Sequence, residues 1–170
     1  MNLFKTILLS SLTVLGSLSV KAQEFKEPVG FKLKNGMNII ISENKNSPKA
    51  YASFTLDASA FKNEKDGIVE LLNAVLNEGI NKKSPISFKD NSGKLNTSSA
   101  DFDQDLSQFA ALIQSSTINE QTFNTGKAKL LMSLKAQDYD YDQRVNENSI
   151  GALTIDDVKS FYKSITPAKT

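Results

Sequence analysis

The sequence predicts an α+β fold in which helices cover one face of a mainly antiparallel sheet. Two adjacent strand patterns separated by a turn signal open the chain, a third alternating strand pattern follows, and amphipathic helix patterns fill most of the remainder. Strands that precede a run of helices are typical of α+β domains. A hydrophobic content of 39% in 170 residues is sufficient for a packed core.

Residues 1–22 differ in kind from the rest of the chain. Lys5 precedes an apolar run that ends near Val20, and Ala22 then supplies a small residue. This order is typical of a secretory signal peptide, and we predict cleavage after Ala22. An uncleaved membrane anchor is the alternative, but the run is shorter than the roughly 20 residues that a bilayer requires. We therefore expect a periplasmic or secreted protein with no membrane span after cleavage.

The composition excludes several kinds of chemistry. The formal charge is +1 and Arg144 is the only arginine, so the chain lacks the basic patch of a nucleic-acid-binding protein. It contains no cysteine, which excludes a disulfide framework. It contains no histidine either, which excludes a His/Cys zinc site and a Ser-His-Asp triad within the chain.

Three strands are predicted at the start of the mature chain. In "FKLKNGMNIIISEN", Asn35-Gly36 predicts a type I′ turn between two strands of a hairpin. In "YASFTLDAS", Ala52 and Phe54 alternate with Tyr51 and Ser53, which indicates a half-buried strand.

The first helix is predicted over residues 63–79. Asn63 and Asp66 form a candidate capping arrangement, and Gly79 is a candidate for the left-handed residue that ends the helix. A polar loop and a weak strand candidate are predicted next, over residues 80–93 and 94–102.

Three further helices complete the chain. Thr117 with Glu120 and Thr154 with Asp157 are predicted capping boxes for the second and third of them, and Pro167 marks the end of the last. These helices are predicted over residues 105–115, 119–136 and 153–167.

An acidic ladder between the last two helices has the beginning of a calcium-loop pattern. Asp138, Asp140 and Asp142 supply alternate carboxylates. However, Gln143 stands where such a loop needs glycine, and Ser149 stands where it needs glutamate. We interpret this segment as a solvated acidic loop.

The first helix offers a weaker candidate. Glu70, Asn73 and Asn77 share its polar face, where a carboxylate and an amide can bind a hard cation weakly. Two ligands do not make a metal site, and a solvent-facing polar stripe is the simpler interpretation.

The ordered series of segments from about residue 29 to residue 170 resembles the M16 peptidase family, the insulinase and mitochondrial-processing-peptidase group. "FKLKNGMNIIISEN" is similar to the opening hairpin of that family, and "DGIVELLNAVLNEGINKKS" to its inward helix. "LNTSSADF" is similar to the strand that follows, "INEQTFNTGKAKLLMSL" to a Phe-centred helix, and "SIGALTIDDVKSFYKSITPAKT" to a Leu-Thr-x-x-Asp-Val-x-x-Phe-Tyr segment.

The resemblance implies that the first helix stands where active members carry the zinc motif His-x-x-Glu-His. With Gly67 on the family's glycine, Glu70 and Ala74 occupy the histidine positions and Asn73 occupies that of the general base. The further glutamate ligand falls near Ser133, where no acid stands. We therefore expect no catalytic residue, no metal ligand and no cofactor.

Relative to the family, the chain is shortened in three places. We expect residues 23–170 to form a single M16-like domain that is either a pared-down member or a fragment. The shortened stretches lie at 79–96, 102–105 and 137–149.

The expected function is that of an exported, non-catalytic M16-like domain. It would pair with a catalytic M16 partner or with itself, or hold extended peptides at a free sheet edge, with candidate edges in Val29–Ser42 and Leu95–Phe102. A stand-alone exported binding or structural protein is the alternative. A weak hydrolase that uses Glu70 is the third interpretation.

Overall fold

A computed structural model describes residues 26–34, 38–56, 64–136 and 144–166, and the chain divides into two compact units. The unit Met1–Asn46 contains β1 (Val29–Lys32) and β2 (Asn38–Ile41). The unit Ser47–Thr170 contains β3 (Lys49–Thr55), α1 (Ile68–Glu78), β4 (Ile86–Lys89), β5 (Ser92–Ser98), α2 (Phe102–Ser115), α3 (Glu120–Ala136), α4 (Glu147–Ala152) and α5 (Ile155–Ile165). The predicted signal peptide, the Asn35-Gly36 turn, the acidic ladder and Pro167 lie outside the described residues. The expectation of a single domain stays a prediction.

The α+β class with antiparallel strands is confirmed, although the described strands form two sheets instead of one. β1 and β2 form the predicted hairpin, in which Phe31 lies opposite Ile39. The second sheet has the order β3-β5-β4, and both of its ladders are antiparallel. The prediction of a loop over residues 80–93 is wrong because β4 lies within that range. The sequence signal for this strand is weak, since only Ile86 and Phe88 among its four residues are apolar.

The start of α1 is set by Gly67, which has a φ of 85°. An added Cβ there would overlap the side chain of Ile150, so this position needs glycine both for its backbone and for its contact. The capping arrangement predicted for Asn63 with Asp66 is wrong, since the helix begins at Ile68 and its N-cap is Gly67, which supplies no side chain. The left-handed end predicted at Gly79 is also wrong, because its φ is −74°.

The core lies between α1 and the inner face of the three-stranded sheet. Along β4 and β5, Ile86, Phe88 and Leu95 are buried, whereas the alternating Ser87 and Lys94 are exposed. Burial of one face with exposure of the other is the pattern of a sheet covered on one side. The remaining buried apolar residues are Ile68, Leu71, Leu72, Val75, Leu76, Phe109, Ile118, Phe123, Leu134, Ile150, Leu153, Val158 and Phe161.

The cap of α3 differs from the prediction. Asn119, not Thr117, accepts a hydrogen bond from the backbone N–H of Thr122 (2.9 Å), and the Thr122 hydroxyl accepts one from the backbone N–H of Asn119 (3.2 Å). This reciprocal pair satisfies donors at the start of the helix. The capping box predicted for Thr117 with Glu120 is therefore wrong.

The capping box predicted at the start of α5 is confirmed. Thr154 accepts from the backbone N–H of Asp157, whose carboxylate in turn accepts from the backbone N–H of Thr154 (2.9 Å). The ammonium of Lys65 lies 2.6 Å from the same carboxyl group. Its hydrogen bond, assisted by those from Thr154, lowers the pKa of Asp157 to about 2. The salt bridge links α5 to the segment that precedes α1.

Candidate functional site

The polar face of α1 includes positions that correspond to the zinc motif by the resemblance, and Glu70 is the only carboxylate among Glu70, Asn73 and Ala74. Its side chain is exposed, and no described residue forms an ion pair or hydrogen bond with it. The described residues contain no group of three or more His, Cys, Asp or Glu arranged to hold a metal ion. Glu70 therefore stands without a second ligand in this part of the chain.

The side chains of Asn73 and Asn77 form hydrogen bonds with main-chain groups of β4 and of the turn that follows it. Asn73 Nδ2 donates to the main-chain oxygen of Asp90 (2.7 Å), in the turn between β4 and β5. Asn77 Nδ2 donates to the Phe88 carbonyl (2.8 Å), and the Phe88 N–H donates to Asn77 Oδ1 (2.9 Å). A side-chain amide has a donor and an acceptor side by side, which suits it to pair with a peptide group in this way. The two asparagines attach α1 to β4.

Ala74 lies where α1 meets α3. A Cβ added to Gly126 would lie 3.0 Å from the carbonyl carbon of Ala74 and 3.0 Å from the nitrogen of Val75. The glycine therefore allows the two helix backbones to approach closely. Ser133, the position near which the family's further ligand would fall, is exposed on α3. Ala74 thus belongs to a helix contact, and Ser133 brings no carboxylate to α1.

The cavity between the sheet, α1 and α5 is too small for a substrate. Its volume is about 40 Å³, and Phe54, Leu72, Phe88 and Phe161 contribute to a largely apolar lining. Pockets that bury small molecules usually enclose roughly 300–1,000 Å³. This cavity has room for only a few water molecules.

The outer edge of β3 is open. Just beyond the two ends of β3, the N–H of Leu56 donates to Asn91 O (2.9 Å) and the N–H of Ser99 donates to Pro48 O (3.0 Å). Because hydrogen-bonded pairs alternate along an antiparallel ladder, the even-numbered residues of β3 are the ones that bond to β5. In an antiparallel pair, the intervening residues turn their main-chain groups away from the partner strand. No described residue bonds to these outward groups of Tyr51, Ser53 and Thr55, whose side chains are also exposed.

Lys49, at the start of the same edge, is satisfied locally. The Ser47 hydroxyl donates to Lys49 O (2.7 Å) and accepts from Lys49 N–H (3.2 Å). The open part of the edge is therefore limited to the three residues Tyr51, Ser53 and Thr55, which we call the β3 edge.

The opposite edge of the sheet is closed. β4 turns the main-chain groups of Ile86 and Phe88 outward, and Asn77 bonds both groups of Phe88. The Ser84 hydroxyl accepts from the Ile86 N–H (3.3 Å). The edge predicted in Leu95–Phe102 is wrong, because β5 is the middle strand and Phe102 begins α2. The sequence missed the β3 edge because a strand pattern alone does not give the order of strands in a sheet.

Lysines dominate the charge of the exposed face of the sheet. Lys94 lies opposite Ser53, Lys49 lies beyond Tyr51 on the same strand, and Lys89 stands on β4. Strand residues on this face include no carboxylate within the described part of the chain, and none of the three lysines forms an ion pair there. The β3 edge is therefore bordered by positive charge.

The hairpin of the first unit displays an apolar face. Val29, Phe31 and Ile41 point to the same side of the hairpin and are 64%, 45% and 53% exposed. Lys26 and Glu43 join the chain on either side of the hairpin through a salt bridge of 2.6 Å, which lowers the pKa of Glu43. An isolated two-stranded hairpin is only marginally stable in water. An exposed apolar face of this kind is typical of a protein–protein interaction site.

None of the helices in the described ranges is long and apolar enough to cross a membrane. The sequence matches no protein-family model, and no curated protein matches it at a significant level.

Proposed function

We propose that this protein is an exported, non-catalytic M16-like domain that holds extended peptides by adding them as a strand to the β3 edge. The observation that carries the proposal is the row of outward N–H and C=O groups at Tyr51, Ser53 and Thr55, to which no residue in the described ranges bonds. An extended peptide can satisfy every one of these groups through its own main chain. Recognition of this kind requires no catalytic side chain.

The form of β3 supports strand addition. The strand is seven residues long, and between Ala50 and Leu56 it contains no proline and no charged residue. Natural proteins usually protect an open edge with proline, an inward charge or a bulge. β3 has none of these along its paired register, and its one charged residue, Lys49, stands at the start of the strand. A seven-residue strand is also close to the usual strand length, so a peptide can pair along most of it.

The composition, and the residues at the positions that correspond to the zinc motif, support the non-catalytic part of the proposal. The chain has no histidine or cysteine. At the zinc-motif positions, Asn73 bonds the main chain of Asp90 and Ala74 contacts α3. Of these three positions only Glu70 is exposed, and a single carboxylate supplies neither a metal site nor an acid–base pair.

The test uses a fluorescent seven-residue peptide of alternating threonine and valine, with binding measured by fluorescence anisotropy. Ser53→Pro removes an outward N–H and leaves the β3–β5 ladder intact, because residue 53 does not bond to β5. Ser53→Ala is the matched control, since it keeps that N–H. We expect the proline variant to lose binding and the alanine variant to retain it.

The folded state of both variants is checked by circular dichroism and thermal denaturation. Equal binding by the folded proline variant and the wild-type protein would refute strand addition at the β3 edge. A peptide that is N-methylated at alternate residues gives an independent check, because it cannot donate the required hydrogen bonds.

Pairing with a catalytic M16-type subunit, or with a second copy of this chain, is the second candidate function. The exposed apolar face of the hairpin, with Val29, Phe31 and Ile41, favours it. Sedimentation velocity of the protein alone, and then mixed with a His-x-x-Glu-His subunit from the same genome, tests both forms. We expect the complex to be lost in Phe31→Asn; a protein that sediments as a monomer in both samples would refute this candidate.

A further inference from the structure

We propose that the β3 edge selects acidic extended peptides, whose carboxylates stand on alternate residues and face the lysines of the sheet. This inference rests on the proposed strand addition and adds the chemical class of the ligand. It depends on three observations: the register that places Lys94 beside Ser53, the accompanying Lys49 and Lys89, and the lack of carboxylates on this face within the described strands.

The register brings Lys94 within reach of an added strand. Lys94 and Ser53 are direct cross-strand neighbours, so they lie side by side on the same face of the sheet. A peptide residue opposite Ser53 would be two strand spacings from Lys94, about 10 Å between backbones. Because serine is small, the long stem of Lys94 can lean across it to meet a carboxylate on the peptide.

Lys49 extends the positive charge along the β3 edge, and Lys89 adds a third lysine to the same face of the sheet. Lys49 and Lys94 are exposed, as is Lys89 at the far side of the sheet, and among the described residues no ion pair neutralises them. Charges act over a Debye length of about 8 Å at physiological ionic strength. A carboxylate beside Tyr51 or Ser53 would therefore experience at least one of these cations directly.

The pleat of the sheet determines which peptide residues meet the lysines. Peptide residues opposite Tyr51, Ser53 and Thr55 place their side chains on the lysine face. The alternate peptide residues point to the inner side, beside Ala52 and Phe54, which are half-buried. The preferred ligand is thus an extended segment in which acidic residues alternate with apolar ones.

Lysines near an open edge also have a different known effect, which is to oppose edge-to-edge association. That role predicts no preference among peptides beyond simple charge attraction to the whole protein. With a formal charge of +1, the whole chain supplies little such attraction. A preference for acidic peptides that depends on Lys94 would therefore arise locally at the β3 edge and not from the net charge of the protein.

The experiment measures binding of three fluorescent seven-residue peptides by anisotropy. Valine alternates with glutamate, lysine or threonine in the three peptides. The wild-type protein is compared with Lys94→Glu and with Lys159→Glu, which makes the same change of net charge at an exposed position on α5. We expect the wild-type protein to bind the glutamate peptide about tenfold more tightly than the lysine peptide at low salt, a difference that salt reduces.

Lys94→Glu is expected to weaken binding of the glutamate peptide about tenfold, whereas Lys159→Glu changes it less than about twofold. Equal effects of the two variants would overturn the assignment to Lys94. If all three peptides bind equally and Ser53→Pro abolishes their binding, strand addition stands and charge selection is overturned. If no peptide binds, or if Ser53→Pro has no effect, the proposed function fails and this inference fails with it.

Discussion

Asn77 of α1 bonds both main-chain groups that Phe88 turns away from the sheet, so a helix side chain stands where the next β-strand would pair. This relationship closes the β4 edge and leaves β3 as the open edge of the three-stranded sheet. Blocking one edge in this way directs an added strand to the other side of the sheet.

We expect Asn77→Ala to lower the free energy of unfolding by about 1–2 kcal/mol, because it leaves two partly buried main-chain groups of Phe88 without their partner. Asn73→Ala is the matched control, since it removes one bond to Asp90 O at an exposed turn and should cost less than about 1 kcal/mol. Urea denaturation measures both. Equal stability of the Asn77→Ala variant and the wild-type protein would show that water replaces the side chain without loss.

The same variant should self-associate more readily than the wild-type protein, because it exposes the outward groups of β4. Sedimentation velocity over a range of protein concentrations checks this expectation, with Asn73→Ala again as the control. A variant that stays monomeric wherever the wild-type protein is monomeric would show that Asn77 does not protect the edge.

Local signals in the sequence predicted the strands and helices better than their arrangement. The alternation of Ala52 and Phe54 with Tyr51 gave β3, and the Thr154–Asp157 pair gave the start of α5, because each depends on residues close in the chain. β4 was missed because its four residues carry only two apolar side chains and sit among polar ones. Patterns of this length do not separate a short strand from a loop.

The candidate site depended on contacts that periodicity does not encode. Asn73 and Asn77 were correctly placed on the polar face of α1, but such a face is usually solvated, and nothing in the sequence indicated their bonds to Asp90 and Phe88. The open edge of β3 follows from the order β3-β5-β4, which depends on the unpredicted β4. The capping arrangement of Asn63 with Asp66 failed for a similar reason, since the actual N-cap, Gly67, is fixed by contact with Ile150, which is distant in sequence.

Gly126→Ala should destabilise the protein although alanine is the better helix former. The substitution gains about 1 kcal/mol of helix propensity. The new Cβ would lie 3.0 Å from main-chain atoms of Ala74 and Val75, which cannot rotate away as a side chain can. We expect a net loss of about 1–2 kcal/mol, since overpacking of a tight contact usually costs about 1–3 kcal/mol.

Gly151→Ala on α4 is the matched control, because nothing lies within 4 Å of an added Cβ there. This substitution should be neutral or stabilising. Thermal denaturation of the two variants gives the comparison. An increase in the melting temperature for Gly126→Ala would show that α1 and α3 can separate slightly without loss of packing.

Acid should weaken the protein partly through Asp157. Its pKa is lowered to about 2 by Lys65 and Thr154, whereas an unfolded aspartate has a pKa of about 3.9. The folded pKa is the lower one, so the stabilisation is present above about pH 4 and is lost as the pH falls towards about 2. Because the ion pair is partly exposed, we expect on the order of 1 kcal/mol.

The measurement is the urea midpoint at pH 6 and at pH 2 for the wild-type protein and for Asp157→Asn. The variant should be less stable than the wild-type protein at pH 6, and the difference between them should shrink at pH 2. Asp156→Asn, an exposed change of the same charge on the same helix, controls for net charge. A difference that is unchanged between the two pH values would contradict the assignment.

A cleavage assay with a Glu70 variant distinguishes the non-catalytic interpretation from the hydrolase interpretation. It is exposed on α1, and the neighbouring Asn73 amide is bonded to Asp90, so we expect no cleavage of an unstructured peptide library with or without added zinc. Mass spectrometry of the library after incubation detects any products. Cleavage that survives a chelator and disappears in Glu70→Gln, but not in the control Glu120→Gln, would establish a carboxylate-dependent hydrolase. Cleavage that requires zinc would instead show that other residues assemble a metal site, and the correspondence of Glu70, Asn73 and Ala74 with the zinc motif would then be wrong.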